Sequence, residues 1–379
     1  MATNSATGPG PIAAAGLFLR TAAAAIRPGR PAYLIHFVTH RCNGRCPFCC
    51  NRRQESSPAD ELTPGEVEKI AARWPGLIQL TLTGGEPFLR DDLADLIAAW
   101  AGSGIAGLTI ASNGYLTDRI VPAVEKTLAR FPRLYLDLDL SLDGPPPLHD
   151  RLRGLTGAHE RVLATARALA PLQERRRGFR LGATLTVSAA NREDAEATTL
   201  ELRQGGLFRR VQALWVRGRP FEPATAECDF AVYERCLEAL RPPTAAGLTA
   251  RAREALSRLV RETVRKTVRE GRSGRRCLAG RTMVMLDPYG RVYPCELLPQ
   301  LAPAGAPAAG LDDWSLGNLR ELDYDIGRVM AGERARMAAA WIERTRCSCS
   351  FECAAYNSLV FNPASWPRVL LEIARGLRP

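Results

Sequence analysis

"AYLIHFVTHRCNGRCPFCC", residues 32–50, joins an apolar run to a loop holding four of the chain's eleven cysteines. Its first eight residues, mostly β-branched, aromatic or aliphatic, predict a strand leading into the cysteine loop. The remainder cannot continue that strand, because Gly44 and Pro47 break the pattern and let the backbone fold around a compact centre. Cys42, Cys46 and Cys49 are spaced C-x3-C-x2-C, and Cys50 follows at once. Close-set thiols in a 379-residue chain point to metal or redox chemistry, whereas a disulfide-stapled secreted fold is short. A structural zinc site takes four ligands and is closed. Cys50 points away from its neighbour, so three thiols remain. That set suits an iron–sulfur cluster, normally held by four thiolates, with one iron left open.

Beyond this loop, strand-like and helical runs alternate. "LIQLTLTGGEP" (77–87), "GLTIASNG" (107–114), "LYLDLDLSLDG" (134–144), "RLGATLTVSAAN" (180–191) and "RVQALWVRG" (210–218) read as strands two to six. Helical stretches such as "DDLADLIAAWAGSG" (91–104) and "ERVLATARALAPL" (160–172) lie between them. Such units predict a parallel sheet with right-handed crossovers. Six strands predict an α/β fold, a partial (β/α)6 TIM-like barrel. Five of the strands end in polar or glycine-rich signals: the cysteines, Gly84-Gly85-Glu86-Pro87, Ser112-Asn113-Gly114, Ser141 with Asp143-Gly144, and Arg217-Gly218. Turn formation accounts for any one of these. Five in register with a cysteine cluster fit better with the face on which β/α barrels build active sites.

These motifs resemble those of the radical S-adenosylmethionine (radical SAM) enzymes. The resemblance rests on the C-x3-C-x2-C loop after the first strand, Phe48 before the third cysteine, GGEP after the second strand, and SLDG followed by HDRLRG. It implies that Cys42, Cys46 and Cys49 hold a [4Fe–4S] cluster whose open iron binds the amino and carboxylate groups of SAM. It implies also that the backbone of Gly84, Gly85, Glu86 and Pro87 receives the methionine amino group. Ser141, Asp143 and Arg153 match the run that serves the SAM ribose and carboxylate, and Asn113 matches an element near the cofactor. Arg217, at the end of the sixth strand, completes the cofactor-binding candidates. In this family an electron from a donor such as flavodoxin or ferredoxin splits SAM into methionine and a 5′-deoxyadenosyl radical. That radical removes a hydrogen atom from an unactivated carbon, while the protein orients both partners and excludes water. A non-catalytic zinc or iron–sulfur binding module would explain the thiols but leave GGEP and SLDG as coincidences.

A second cysteine group lies near the C-terminus. Cys277, Gly290 and Cys295 are spaced C-x12-G-x4-C, and "MVMLDPYGRVYPCE" (283–296) reads as a β-hairpin turning at Asp287-Pro288-Tyr289-Gly290. "CSCSFEC" then supplies Cys347, Cys349 and Cys353. The arrangement resembles the SPASM and twitch extensions, which carry auxiliary [4Fe–4S] clusters. Five cysteines imply one auxiliary cluster, with Cys277, Cys295 and Cys353 as ligands and Cys347 ahead of Cys349 for the fourth place. A zinc site with the same ligands is the alternative. Glu296 matches the position of an acid implicated as a base in sulfatase-maturing relatives, which makes it the candidate catalytic residue; a solvated hairpin glutamate is the plainer reading.

The expected layout is an N-terminal extension with an amphipathic helix (1–30), the barrel (31–222), a helical linker (223–275), a small C-terminal α+β auxiliary-cluster domain (276–360) and a tail (361–379). The linker holds a basic amphipathic helix. Between Arg251 and Arg276 stand ten arginines and lysines against three glutamates, which accounts for +7 of the net +11. A solvated face is the default for such a run, and an anionic lipid or substrate is the alternative. Nucleic acid is not expected, because no aromatic residues interleave with the arginines. No stretch reaches the roughly 18 apolar residues of a membrane span, so the expected location is cytoplasmic, with peripheral membrane contact as the variant. The roughly 30 residues before the first strand are too few for a separate peptide-binding domain. That tilts the expected substrate towards a small or lipid-like molecule, with a peptide or protein maturase as the alternative. His36 is expected in the barrel wall. Loop packing is expected of His40 and Cys50, and Cys228 and Cys236 are expected as small hydrophobes.

Overall fold

The computed structural model describes residues 20–23, 30–51, 57–241, 248–301 and 313–375. Most of the N-terminal extension, where an amphipathic helix is expected, lies outside the described residues. The six expected strands form as β1 (Tyr33–Thr39), β2 (Gln79–Gly84), β3 (Gly107–Ser112), β4 (Tyr135–Ser141), β5 (Phe179–Val187) and β6 (Arg210–Trp215). Between them run α1 (Pro64–Ala72), α2 (Leu93–Gly102), α3 (Thr117–Arg130), α4 (Pro146–Arg153), α5 (Ala158–Arg175) and α6 (Ala195–Gln204). All neighbouring pairs from β1 to β6 are parallel. The alternation in β4 shows how the layers are set: Leu136, Leu138 and Leu140 are fully buried on one face, while Asp137, Asp139 and Ser141 occupy the other.

The chain continues through α7 (Phe230–Ala239) and α8 (Leu248–Glu270) into β7 (Met283–Leu286), β8 (Arg291–Tyr293) and β9 (Gly317–Asn318). Here the C-terminal strands extend the barrel sheet. β7 pairs parallel with β1, so one nine-stranded sheet runs β6-β5-β4-β3-β2-β1-β7-β8-β9 and does not close. The reason is in the strand itself: every residue of "MVML" is apolar and buried, so it needs cover on both faces and finds it inside the barrel sheet. Helices α9 (Leu298–Leu301), α10 (Ile326–Ala331), α11 (Glu333–Arg344), α12 (Glu352–Val360) and α13 (Trp366–Arg375) complete the chain. Helix α12 bonds to both sides of the opening. Glu352 accepts from the Trp215 N–H at the end of β6 (3.1 Å), and Asn357 exchanges hydrogen bonds with the Thr282 hydroxyl just before β7 (2.9 and 3.2 Å).

The basic helix is α8. Leu259, Val260 and Val264 are buried against neighbouring helices, and its charges find partners. Arg265 and Arg269 both reach Glu234 of α7 (2.7 and 2.6 Å), Arg261 reaches Glu254 (2.8 Å), and Glu262 holds Lys266 and Arg368 (3.3 and 2.7 Å). Among the described residues no helix is long and apolar enough to cross a membrane.

Candidate active site

The cysteine loop leaves β1 and is held from below by the glycines after β2. The Gly85 N–H donates to Thr39 O and the Glu86 N–H to Arg41 O, both at 2.8 Å. Contact is so close that a Cβ on Gly84 would lie 2.2 Å from Thr39 O, and one on Gly85 would lie 1.9 Å from Arg41 O. Gly84 also has φ +127°, which a side chain would strain. Glu86 is buried and ties this edge to β3. Its carboxylate accepts from the Ser112 hydroxyl (2.8 Å), the Asn113 N–H (2.7 Å) and the Phe88 N–H (3.2 Å), while burial pushes its pKa up. The Asn113 side chain in turn donates to Asn43 inside the cysteine loop (2.7 Å). Pro87 follows as the first residue of a short 3-10 turn.

From the other side the loop meets the end of β4 and α4. Arg153 is buried; its guanidinium pairs with Asp143, passes 3.6 Å from the Cys46 sulfur and lies over the Phe48 ring at 5.7 Å. Its carbonyl accepts from the Arg45 N–H (2.7 Å). Asp143 accepts from the Thr186 N–H (2.9 Å) and donates its own N–H to His149 Nδ1 (3.1 Å). Burial lowers the His149 pKa to about 4, against the opposing pull of Asp143, so at neutral pH the ring accepts as an uncharged base. Asn191 holds the Asp143 carbonyl (2.9 Å). His149 and Asn191 were not singled out from the sequence, although His149 opens the HDRLRG run. Ser141 donates to Ser112 O (3.3 Å).

Cys42, Cys46 and Cys49 converge with no carboxylate among them. A Cβ on Gly44 would come 3.6 Å from the Cys42 sulfur and 3.9 Å from that of Cys46, so its absence leaves room between the thiols. Burial pushes Cys42 up to about 12 and raises Cys49 as well, which favours neutral thiols until a cation displaces their protons. Among the described residues no three Cys, His, Asp or Glu side chains stand close enough to hold a single ion. A thiol-only set matches an iron–sulfur group, which cysteine thiolates hold.

The second cysteine group assembles differently from the expected ligand set. Cys277, Cys295, Cys347 and Cys349 line one apolar cavity of about 160 Å³, walled by Leu297, Trp341 and Ile342. The Cys277 and Cys347 thiols face each other in this cavity, and Cys295 is buried with the Leu298 N–H 3.3 Å from its sulfur. Cys353, expected as a ligand ahead of Cys349, does not line that cavity and interacts with Tyr33, Arg217 and Glu296. Local conformation explains the difference. Cys347 and Cys349 sit two apart in a non-helical segment and face one way, whereas Cys353 lies in the first turn of α12 and is rotated towards the barrel.

Where the end of the cysteine loop meets the β7–β8 hairpin lies a cavity of about 230 Å³ lined by Phe37, His40, Cys50, Asn51, Met285, Asp287, Tyr293, Glu296, Pro299 and Gln300. Glu296 is buried and accepts from Arg217 Nε at 2.7 Å; Arg217 lies over the Phe351 ring at 5.0 Å. Arg217 thus braces the auxiliary segments against the barrel mouth. Cys50 is part of the cavity wall, and burial pushes its thiol up to about 12. His40 packs on Phe37 and Tyr289, and His36 in β1 accepts from the Trp100 indole (3.2 Å).

The profile of the radical SAM superfamily matches residues 37–184. The chain is 30% identical over 290 residues to the AdoMet-dependent heme synthase of Methanosarcina barkeri, covering 72% of this chain and 78% of that protein. This chain belongs to the radical SAM superfamily. It is also 34% identical over 143 residues to the PqqA peptide cyclase of Rhizobium meliloti, 36% of each chain. The fold is shared with SuiB of Streptococcus suis bound to its precursor peptide SuiA (TM-score 0.52, 18% identity, 81% of this chain and 67% of that one). It is shared too with anSMEcpe bound to AdoMet and the Kp18Cys peptide (TM-score 0.52, 15% identity, 91% and 99%). As a radical SAM protein the chain is an enzyme, and SAM and a [4Fe–4S] cluster are its cofactors.

Proposed function

We propose that this radical SAM enzyme removes a hydrogen atom from an unactivated carbon of a peptide side chain presented to the cavity between the cysteine loop and the hairpin. The cavity carries the reading. At about 230 Å³ it falls below the ~300–1,000 Å³ of pockets that enclose a whole drug-sized ligand, and its wall combines amide, hydroxyl and carboxylate groups with Phe37 and Met285. It suits one inserted side chain with the rest of the substrate outside.

Cys42, Cys46 and Cys49 would hold the cluster, which when bound supplies the electron for reductive cleavage of SAM. The Gly85 and Glu86 N–H groups already serve Thr39 and Arg41, so this edge has carbonyl oxygens to offer the SAM amino group. Asp143 and Ser141 stand at the strand end expected to meet the ribose and carboxylate. Arg153 holds Asp143 and places a positive charge beside Cys46, offsetting the thiolate. Asn113 acts through Asn43, by fixing the loop. Glu296 is the candidate base, and Arg217 holds its carboxylate in place. Cys277, Cys295, Cys347 and Cys349 would hold the auxiliary [4Fe–4S] cluster. A small-molecule substrate is the second reading, favoured by the 30% identity to the heme synthase across most of the chain.

Anaerobic protein reduced with dithionite is expected to convert SAM to 5′-deoxyadenosine and methionine; no cleavage would sink the reading. Cleavage stimulated by the peptide fraction of a cell extract supports the first substrate class, and stimulation by its non-peptide fraction supports the second. Glu296→Gln is expected to lower substrate consumption about 10²- to 10⁴-fold at unchanged iron content; full turnover would remove Glu296 from the mechanism. For the auxiliary site, Cys349→Ser is expected to lose about four irons per chain while Cys353→Ser retains them. The reverse pattern, read by iron analysis, would restore Cys353 as a ligand.

A further inference from the structure

We propose that Gln300 is a positioning residue that couples the two cysteine sites. Through the chain that leaves β6, it makes the grip of the three-thiol loop on its cluster depend on the filling of the second site. This rests on both cysteine groups holding clusters and not on the substrate reading. The β6 exit, residues 217–222, touches both sides. Towards the cysteine loop, the Phe221 N–H donates to Cys49 O (3.0 Å) and the Glu222 N–H to Pro47 O (2.8 Å). Towards the second group, Arg217 pairs with Glu296 (2.7 Å), and the Arg219 N–H donates to the Gln300 side-chain oxygen (3.2 Å). The Gln300 amide nitrogen donates in turn to Asn51 Oδ1, at the end of the cysteine loop, and to Glu296 O, both at 3.1 Å. One amide thus joins three segments that are distant in the chain.

Gly218 shows how little slack this junction has. Its φ is +69°, and a Cβ there would lie 2.5 Å from Gln300 Oε1, 2.8 Å from Cys50 Cβ and 3.2 Å from Leu297 Cδ2. Cys50 follows Cys49 of the first set, while buried Leu297 comes two residues after Cys295 and walls the second cavity. A single residue without a side chain therefore separates the neighbour of one ligand from the wall of the other site. Local bonds carry the link onward. The Leu298 N–H lies 3.3 Å from the Cys295 sulfur, and the Gln300 N–H donates to Leu297 O (2.9 Å). A cluster that fixes Cys295 fixes the turn of α9 and with it the Gln300 amide, as outer partners and metal ligands orient one another. With that amide seated, the β6 exit is held against the loop; with it released, the loop keeps only the bonds from Phe221 and Glu222 on this side. Coupling between two binding events is reciprocal and commonly amounts to about 5- to 150-fold in affinity.

The test is a double-mutant cycle on the full chain loaded with both clusters. Its members are the parent, Cys349→Ser, which empties the second site, Gln300→Met, which keeps the length without a polar atom, and the two together. A chelator is added anaerobically, and the loop cluster is followed through the part of its reduced EPR signal that shifts on adding SAM. Each single variant is expected to lose that cluster at least about fivefold faster than the parent. The double variant is expected to stay within about twofold of the faster single, because an emptied site has nothing left to transmit. Asn51→Ala, which removes the acceptor on the loop and leaves every ligand in place, is expected to repeat the Gln300→Met pattern. Effects that multiply in the double variant, as two separate losses of stability would, overturn the proposal, with either Gln300→Met or Asn51→Ala. So does a loop cluster as durable in Cys349→Ser as in the parent. A Cys349→Ser protein that keeps all its iron overturns the ligand set and the proposal with it, and iron counted before the chelator identifies that case. The readout needs no substrate, so failure to consume a peptide or a small molecule counts against the proposed function alone.

Discussion

Gly85→Ala is expected to abolish cluster retention and to lower dithionite-driven formation of 5′-deoxyadenosine by at least about 10²-fold. The added Cβ would sit 1.9 Å from Arg41 O and 2.8 Å from His40 O, both backbone atoms that no rotamer change can move away. Either the glycine edge or the cysteine loop must shift by more than an ångström, and a displacement of about that size at a reacting centre already costs about 10² in rate. Overpacking of this kind costs about 1–3 kcal/mol or more, so the melting temperature should fall too. Gly65→Ala is the control. It lies in the first turn of α1 with nothing within 4 Å of the new methyl, and the change is expected to be neutral or stabilising by up to about 1 kcal/mol. Iron per chain, thermal melting and product formation measured on both variants check the pair; a Gly85→Ala protein with full iron would show that the loop is not seated on this edge.

The second large effect is expected at Glu86. Glu86→Ala removes the acceptor for the Ser112 hydroxyl and for the Asn113 and Phe88 N–H groups, all in the interior. Each buried donor left unsatisfied costs about 1–3 kcal/mol, so the loss is on the order of 3–6 kcal/mol, comparable with the whole stability of many domains. Glu86→Gln keeps the shape and one acceptor oxygen, and it should cost less than half as much. Denaturant unfolding of the two variants decides the matter. If Ala and Gln are equally mild, the carboxylate is not what joins the second and third strand ends. If Gln is as severe as Ala, one acceptor oxygen is not enough, and the three donors need both oxygens of the carboxylate.

Much of this molecule is legible in the residues taken one after another. The six core strands, their parallel order and the placing of GGEP, SNG and SLDG at strand ends follow from apolar runs punctuated by glycine, because periodicity and turn chemistry are local properties. The C-x3-C-x2-C loop is local in the same sense, since three ligands within eight residues need no distant partner to be brought together. His36 as a wall residue and Cys236 as a buried small side chain in α7 likewise follow from the burial pattern of their own elements.

Other features depend on where the chain returns. The spacing of "CSCSFEC" does not reveal that Cys349 faces Cys277 and Cys295 while Cys353 faces Tyr33 and Arg217, because the intervening change from extended chain to helix sets the direction of each sulfur. Arg217 follows a strand end, as Glu86, Asn113 and Asp143 do, yet its guanidinium is taken by Glu296, 79 positions later. Strand β7 reads as half of a separate hairpin until β1 supplies an edge for it. Local pattern therefore determined the strands, the helices and the three-thiol loop. Contacts between segments far apart in the chain decided which four thiols face one another, what seals the open side of the sheet and which acid lines the cavity. Packing and charge pairing act between surfaces, and only the folded chain brings those surfaces together.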